Sequence, residues 1–344
     1  MTNSFSAKLL RWFDQHGRHD LPWQHQASPY KTWLSEVMLQ QTQVSTVIPY
    51  FLRFIERFPT LKQLADADID EVMHLWTGLG YYSRARNLHR CAQEIRDHYN
   101  GELPQQLEQL QALPGIGPST AAAIASIAFN QSTAILDGNV KRVLTRFHAI
   151  EGWPGKREVE KQLWQLAQEH MPKKRCGDYT QAIMDLGATL CTRSKAQCQA
   201  CPMKADCQAL ALERVQDFPY SKPKQNKPVK EAQLLIIRRQ SGEIALQLRP
   251  PTGIWGGLWS LPELKLDESP EDFVQSHFGE VLAQQKRDKF KHVFSHYSLL
   301  IHPVEIQLGR EHGKIMEQGQ LLWYNPHFPQ EVGLAAPVKS LLHL

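Results

Sequence analysis

The chain of 344 residues has only six cysteines, too few and too clustered for a scaffold stapled by disulfides. It has no apolar run long enough to span a bilayer, and Met1 to Gly17 holds no uninterrupted apolar core of signal-peptide length. A soluble cytoplasmic protein without membrane partners is therefore expected. No internal repeat occurs, and low complexity is confined to one short stretch. Net charge is also small, +4 at pH 7. The excess is local: residues 1–220 carry 24 basic and 22 acidic groups, 221–230 add four lysines, and 231–344 carry 11 against 13. Such a balance permits nucleic acid as a partner without requiring it.

Four of the six cysteines, Cys191, Cys198, Cys201 and Cys207, stand in the pattern C-x6-C-x2-C-x5-C. So tight a set of soft ligands implies a metal centre. Tetrahedral zinc and an iron-sulfur cube both accept four thiolates, and the spacing does not choose between them. Two disulfides would need an oxidising compartment. Cys91 and Cys176 stand apart and read as reduced core thiols.

The stretch Ser221 to Glu231 has two prolines, four lysines and little apolar content, which suits an exposed linker. Before it, apolar residues recur at helical spacing, as in Trp33, Leu34, Val37, Met38 and Val44, so residues 1–220 read as all-α. After it, residues 232–249 give two β-rich runs around Ser241-Gly242, with further strand signals near 292–308 and 320–324. Residues 232–344 therefore read as an α+β domain.

Between two helical patterns, near 105–128, sits Leu113-Pro-Gly-Ile-Gly-Pro118, followed by small residues. Gly115 and Gly117 permit a tight turn with bare amides at a helix N-terminus, suited to a DNA phosphate. Taken alone, the pattern is equally that of an ordinary helix-helix turn. Other motifs follow in order: Leu21-Pro-Trp23, Trp33 to Val44, Gly78 to Asn87, Leu136 to Arg142 and the cysteines. Together they resemble the helix-hairpin-helix superfamily of base-excision DNA glycosylases, and within it the branch that removes adenine. The resemblance implies one 4Fe-4S cluster on the four cysteines in the loop 191–207, a monovalent cation at the hairpin turn, and a monomer acting on double-stranded DNA.

Cleaving adenine from deoxyribose creates a cationic sugar and an anionic leaving group, so the reaction needs a proton donor at the base and negative charge at the sugar. Glu36 lies in an otherwise apolar helical stretch, where desolvation would keep it protonated. For an arbitrary Glu, the solvated face of a helix is the commoner setting. Asp137 precedes a helical pattern, where first-turn amides would hold it ionised, as they would any N-cap. The resemblance makes Glu36 the general acid, Asp137 the stabiliser of the sugar cation and Asn139 its orienting neighbour. It alone brings the two carboxylates together.

Bifunctional members of the superfamily carry a nucleophilic lysine where this chain has Ser119, which implies a monofunctional glycosylase, with Lys141 a weak substitute amine. Extruding a base leaves a gap in the stack. The resemblance puts Gln40, Gln41 and Thr42, and Tyr81 after Gly78-Leu-Gly80, at the lesion. Arg193, with Lys195, lies between the first two cysteines and would meet phosphates.

Residues 232–344 resemble the Nudix fold without its catalytic box, since Pro270 to Gly279 offers only two scattered acids. Diphosphate hydrolysis is not expected. In the resembled branch this domain reads 8-oxoguanine opposite the target adenine, with Phe294, Ser295 and His296 matching its reading loop. A strand with alternating buried and exposed residues accounts equally for Phe294. The expected partner is DNA containing A:8-oxoguanine or A:G mispairs. Rival readings are a bifunctional pyrimidine-lesion glycosylase, and a non-catalytic iron-sulfur protein for DNA binding or redox.

Overall fold

In the computed structural model, which describes residues 4–223, 227–250, 253–294, 297–311 and 320–342, the chain divides into two units. One comprises Met1–Asp66 and Asn87–Lys224, the other Ala67–Arg86 and Gln225–Leu344. A short stretch from the helical region thus clusters with the C-terminal half. The linker expected to reach residue 231 ends earlier, because strand pairing already begins at Val229.

The described part of the first unit is helical, as the apolar spacing predicts. Helix Pro29–Leu39 begins where the Ser28 hydroxyl accepts from the Lys31 amide at 3.2 Å, with Pro29 in its first turn. Trp33, Leu34, Val37 and Met38 bury one face. The helix stops at Gln40, after which Gln41 takes a left-handed φ of 57°.

At the centre lies helix Pro118–Phe129, whose buried Ala121 to Ser126 admit close neighbours on two sides. It packs against Pro29–Leu39 and against Cys176–Asp185. The Ser126 hydroxyl donates to Thr180 Oγ1 at 2.8 Å, and a Cβ on Gly177 would stand 3.0 Å from the Ser126 carbonyl oxygen. Larger residues at these positions would force the helices apart.

Helix Cys176–Asp185 runs on into a π-helical turn, Leu186–Leu190, that leads directly to Cys191. At its junction Asp185 is fully buried. Its carboxylate accepts from the Arg18 amide at 2.7 Å, from Arg18 Nη2 at 2.6 Å and Nε at 3.0 Å, and from Gln181 Nε2 at 2.8 Å. That fork ties the segment after the first helix, Phe5–His16, to the element carrying the cysteine loop.

The second unit is built on a mixed sheet of eight strands: β1 Val229–Arg238, β2 Ile244–Leu248, β3 Trp259–Ser260, β4 Glu263–Leu264, β5 Gly279–Lys286, β6 Phe290–Val293, β7 Ser298–Glu311 and β8 Leu321–Tyr324. The order is β3-β2-β1-β7-β5, with β4 on β1, β6 on β7 and β8 on β2. Only β1 and β7 pair in parallel. Accordingly β1 reads as a continuous buried run, Ala232 to Ile237, and not as an alternation. Leu235, Ile237, Val304, Ile306 and Leu308 join Val274 and Phe278, in and just after helix Pro270–His277, in one apolar cluster. From the other segment, Tyr82 Oη donates to the Leu334 carbonyl at 2.9 Å, and Gly333 leaves room for Met73, whose Cβ would lie 2.7 Å from an added Cβ. No described helix is long and apolar enough to cross a membrane.

Removing the charge of Asp185 leaves Arg18 without its buried partner, a loss of about 3 kcal/mol for such pairs. Asp185→Asn should lower the denaturation midpoint of the first unit, followed by tryptophan fluorescence in urea. An unchanged midpoint would show that the fork contributes nothing to folding.

Candidate catalytic and metal centre

The carboxyl of Glu36 projects from a helix whose central side chains are buried, apolar ones such as Trp33, Leu34, Val37 and Met38 together with the hydroxyls of Thr32 and Ser35. It keeps partial contact with solvent but is densely surrounded. Burial, and to a lesser extent the negative charge of Asp137, push its pKa up to about 7. That charge effect places the two carboxyls near each other although they are far apart in sequence.

Asp137 caps helix Gly138–Phe147, with Oδ1 accepting from the Val140 amide at 2.7 Å and Oδ2 from Asn139 Nδ2 at 3.1 Å. The cap forms as expected, but its effect on ionisation is weaker than expected. Burial raises the Asp137 pKa, outweighing the lowering by Val140, by the Asn139 side chain and amide, and by Arg142. The site is dry enough for desolvation to exceed several hydrogen bonds. The two groups differ in what surrounds them: hydrogen bonds and Arg142 favour the anion at Asp137, whereas Glu36 feels the negative charge of Asp137.

A network continues behind the cap. Arg142 Nη2 donates to Asn139 Oδ1 at 2.8 Å and to the Gly187 carbonyl at 2.6 Å, while its Nε donates to the Cys191 carbonyl at 2.7 Å. Gly187 is required for this approach, since a Cβ there would lie 2.6 Å from that of Asn139. On the opposite side, the Ser119 hydroxyl accepts from the Leu136 amide at 3.1 Å and fixes the residue before Asp137. Lys141 is engaged elsewhere, its Nζ lying 2.6 Å from Glu160 Oε1.

The hairpin forms from helices Leu107–Ala112 and Pro118–Phe129. Gly115 has φ 77°, and a Cβ would meet that of Asn87 at 2.7 Å. Gly117, expected to serve the same turn, instead has an ordinary φ of −82° as the N-cap. Nothing lies within 4 Å of its missing Cβ, so what it contributes is open access to the helix start. Nearby, Gln40 Nε2 donates to Thr120 Oγ1 at 3.1 Å, Thr42 Oγ1 donates to the Gln40 carbonyl at 3.3 Å, and Gln41 is exposed. Tyr81 belongs to the second unit and is 48% exposed.

Cys191, Cys198, Cys201 and Cys207 line one cavity together with Leu190, Leu210 and Arg146. All four are free thiols, so the disulfide alternative falls away. They surround this space instead of converging on a point, and among the described residues no three His, Cys, Asp or Glu are gathered to hold a single metal ion. Burial pushes Cys201 up to about 11, with the other three thiolates adding to the rise. Four mutually repelling thiolates in one cavity call for a cationic core. Arg146, almost fully buried, closes the wall: Nη1 donates to the Thr192 carbonyl at 2.7 Å and to Cys191 Sγ at 3.4 Å, Nη2 to the Arg193 carbonyl at 3.0 Å, and Nε to Phe218 at 2.9 Å. The Arg193 and Lys195 side chains are exposed.

Sequence reasoning missed Arg142 and Arg146. Their spacing of four places both on the helix face toward the cysteine loop, and that periodicity was the available signal. In the second unit Phe294 stacks on Tyr297, with centroids 4.7 Å apart and planes at 20°, near Trp255 at 5.8 Å. It is half-buried in this stack and does not project as an inserting wedge would. Ser295 and His296 lie outside the described residues. In helix Pro270–His277 the acids Glu271 and Asp272 are exposed first-turn groups.

Residues 34–169 match the profile of the HhH-GPD superfamily of base excision DNA repair proteins, and residues 233–344 that of the NUDIX domain. The chain is 38% identical to the adenine DNA glycosylase of Buchnera aphidicola subsp. Acyrthosiphon pisum (strain APS), over 98% of this chain and 96% of that protein. To the adenine DNA glycosylase of Homo sapiens it is 36% identical, over 86% of this chain and 65% of that one. Among solved structures, a thermostable thymine-DNA glycosylase aligns with a TM-score of 0.55 and 26% identity, over 60% of this chain and 95% of that chain.

The carboxyl of Glu36 also predicts a pH-dependent stability. Its folded pKa of about 7 exceeds the ordinary glutamate value of 4.5, so the folded state binds the proton more tightly. Stability is then fully present below about 4.5 and declines as pH rises through 7, by at most about 3 kcal/mol. Glu36→Gln should raise the thermal midpoint at pH 8 and change it little at pH 4.5; equal changes at both would contradict the raised pKa.

Proposed function

Because the chain belongs to the adenine DNA glycosylase family of the helix-hairpin-helix base excision repair superfamily, we propose that Glu36 and Asp137 perform its chemistry, with Asn139 orienting the second. The activity is monofunctional hydrolysis of the N-glycosidic bond of adenine in DNA. The raised pKa of Glu36 carries the assignment. At neutral pH a large share of Glu36 is protonated, and it donates that proton to a ring nitrogen of adenine as the bond to C1′ lengthens. The electron pair of that bond leaves with the base. Positive charge grows on the sugar, where the carboxylate of Asp137, its anion favoured by Val140, Asn139 and Arg142, stabilises it until water adds to C1′. Ser119 supplies no amine, and its hydroxyl already holds the Leu136 amide.

Base extrusion leaves a gap in the stack, and the stack-filling residues of the two units are Gln41 in the first and Tyr81 in the second, each exposed and in a left-handed conformation. The open N-terminus at Gly117 and the side chains of Arg193 and Lys195 hold phosphates, with Gln40 and Thr42 supporting the turn beside them. The four cysteines are ligands of one 4Fe-4S cluster. That reading is supported by thiols arranged around a cavity and by a donor set whose charges repel. When bound, the cluster supplies a scaffold that keeps the loop 191–207 folded. The second unit, with no set of clustered carboxylates in helix Pro270–His277, reads the base opposite adenine, 8-oxoguanine or guanine. Phe294 and Tyr297, which stack on each other, flank in sequence the residues assigned to this reading.

Single-turnover adenine release from duplexes with A opposite 8-oxoguanine, G or T tests the assignment. Release is expected opposite the two purines only. Glu36→Gln and Asp137→Asn should each slow it by about a hundredfold or more, and in the wild type the rate should fall as pH rises through about 7. Normal turnover in either variant would refute the role of that carboxyl. Absorption near 410 nm with stoichiometric iron and sulfide is expected of the purified protein; zinc alone would overturn the cluster assignment.

A further inference from the structure

Tyr81 combines a left-handed φ of 50° with 48% exposure of the residue. A non-glycine residue keeps that backbone only where its surroundings impose it. The surroundings here are specific. Gly78 and Gly80, at φ 99° and 75°, make the turn, and nothing lies within 4 Å of the missing Cβ of Gly80, so glycine is there for its backbone. Fully buried Trp76 donates from Nε1 to the Gly80 carbonyl at 3.1 Å.

Arg84 joins these parts. Its amide donates to the Tyr81 carbonyl at 2.8 Å, and its Nη2 donates to the carbonyls of Gly80 at 3.2 Å and Leu79 at 3.4 Å. The guanidinium carbon stands 5.4 Å from the Trp76 ring centre and 5.3 Å from that of Tyr81, within cation-π range of both. Arg84 is only 8% exposed, so its charge is directed into this assembly and not at solvent.

We propose that Arg84 is a positioning residue for base extrusion, holding Tyr81 outward in its left-handed conformation so that the ring is pre-set for the gap in the DNA stack. This rests on the reading of Tyr81 as a stack-filling residue. Arginine suits the task because one planar group offers donors in its plane and a cation to the rings on its faces; lysine keeps the charge but lacks the fork. A pre-set ring spares the protein the ordering of an exposed side chain during extrusion.

The test is a double-mutant cycle on the full-length, cluster-loaded protein. Single-turnover adenine release is measured on A:8-oxoguanine duplexes, and base extrusion by the fluorescence rise of 2-aminopurine at the target position. Tyr81→Ala and Arg84→Met should each slow release about ten- to a hundredfold and reduce the fluorescence rise, with the thermal midpoint and the absorption near 410 nm retained. The double variant should be no slower than the slower single, because both changes remove one function. Arg84→Lys should fall between wild type and Arg84→Met, and its loss should disappear in the Tyr81→Ala background. That variant decides the matter if Arg84→Met does not fold. Losses that multiply in the double variant, or wild-type extrusion in Arg84→Met, would overturn the role of Arg84 alone. A silent Tyr81→Ala would instead remove the reading of Tyr81, and this proposal with it.

Discussion

The first unit depends on how one carboxylate is held. Asp137 is both the cap of helix Gly138–Phe147 and the front end of a chain of hydrogen bonds through Asn139 and Arg142 to the Cys191 carbonyl. Each link fixes the next. The cap orients Oδ1, Asn139 occupies Oδ2, and Arg142 orients the Asn139 amide by donating to its carbonyl oxygen. Gly187 in the π-helical turn lets the cysteine-bearing segment approach this helix closely, and Asp185, immediately before that turn, is anchored by Arg18. Helix capping, a π turn and a buried ion pair are separate local devices, but here they share one geometric task.

Two carboxyls near each other acquire different roles only if their surroundings differ. Glu36 lies on a mostly apolar helix and, among the described residues, receives no donor that favours its anion, whereas Asp137 receives three donors and the field of Arg142. Burial raises both, so desolvation alone would not separate them. The separation comes from hydrogen bonds supplied to one member only, and it is reinforced because the ionised member raises the other.

Much of the centre was legible in the sequence because its signals are local. A Glu within an apolar helical stripe, an Asp before a helix, a Gly-rich turn between helices and four closely spaced cysteines each state their physics within a few residues. The rest depends on tertiary partners. Arg142 and Arg146 look like ordinary basic residues of a solvated helix until the cysteine loop is seen to cover that face. Asp185 gives no sign that Arg18, in a segment 167 residues away, will enclose it. The raised pKa of Asp137 is of the same kind, since an N-cap pattern specifies donors and says nothing of how dry the site becomes. The grouping of Ala67–Arg86 with the C-terminal unit likewise rests on single long-range contacts such as Tyr82 with Leu334, which no periodicity encodes.

Burying two guanidiniums on one helix is costly unless negative charge faces them. Burial above all, and then the charge of Arg146, disfavour the cationic form of Arg142, while Cys191 favours it. With the four cysteines as ligands of a cluster, the loop presents net negative charge to both arginines. A cluster there would have no electron-transfer step to perform in hydrolysing a glycosidic bond, but its charge would make the buried Arg142 tolerable, and Arg142 in turn favours the ionised form of Asp137. Replacing the cysteine loop with an apolar plug of equal volume would therefore keep the packing and still unbalance the charges behind the carboxylate of Asp137. On this argument the cysteine loop and Asp137 form one electrostatic unit, linked by the side chains of a single helix.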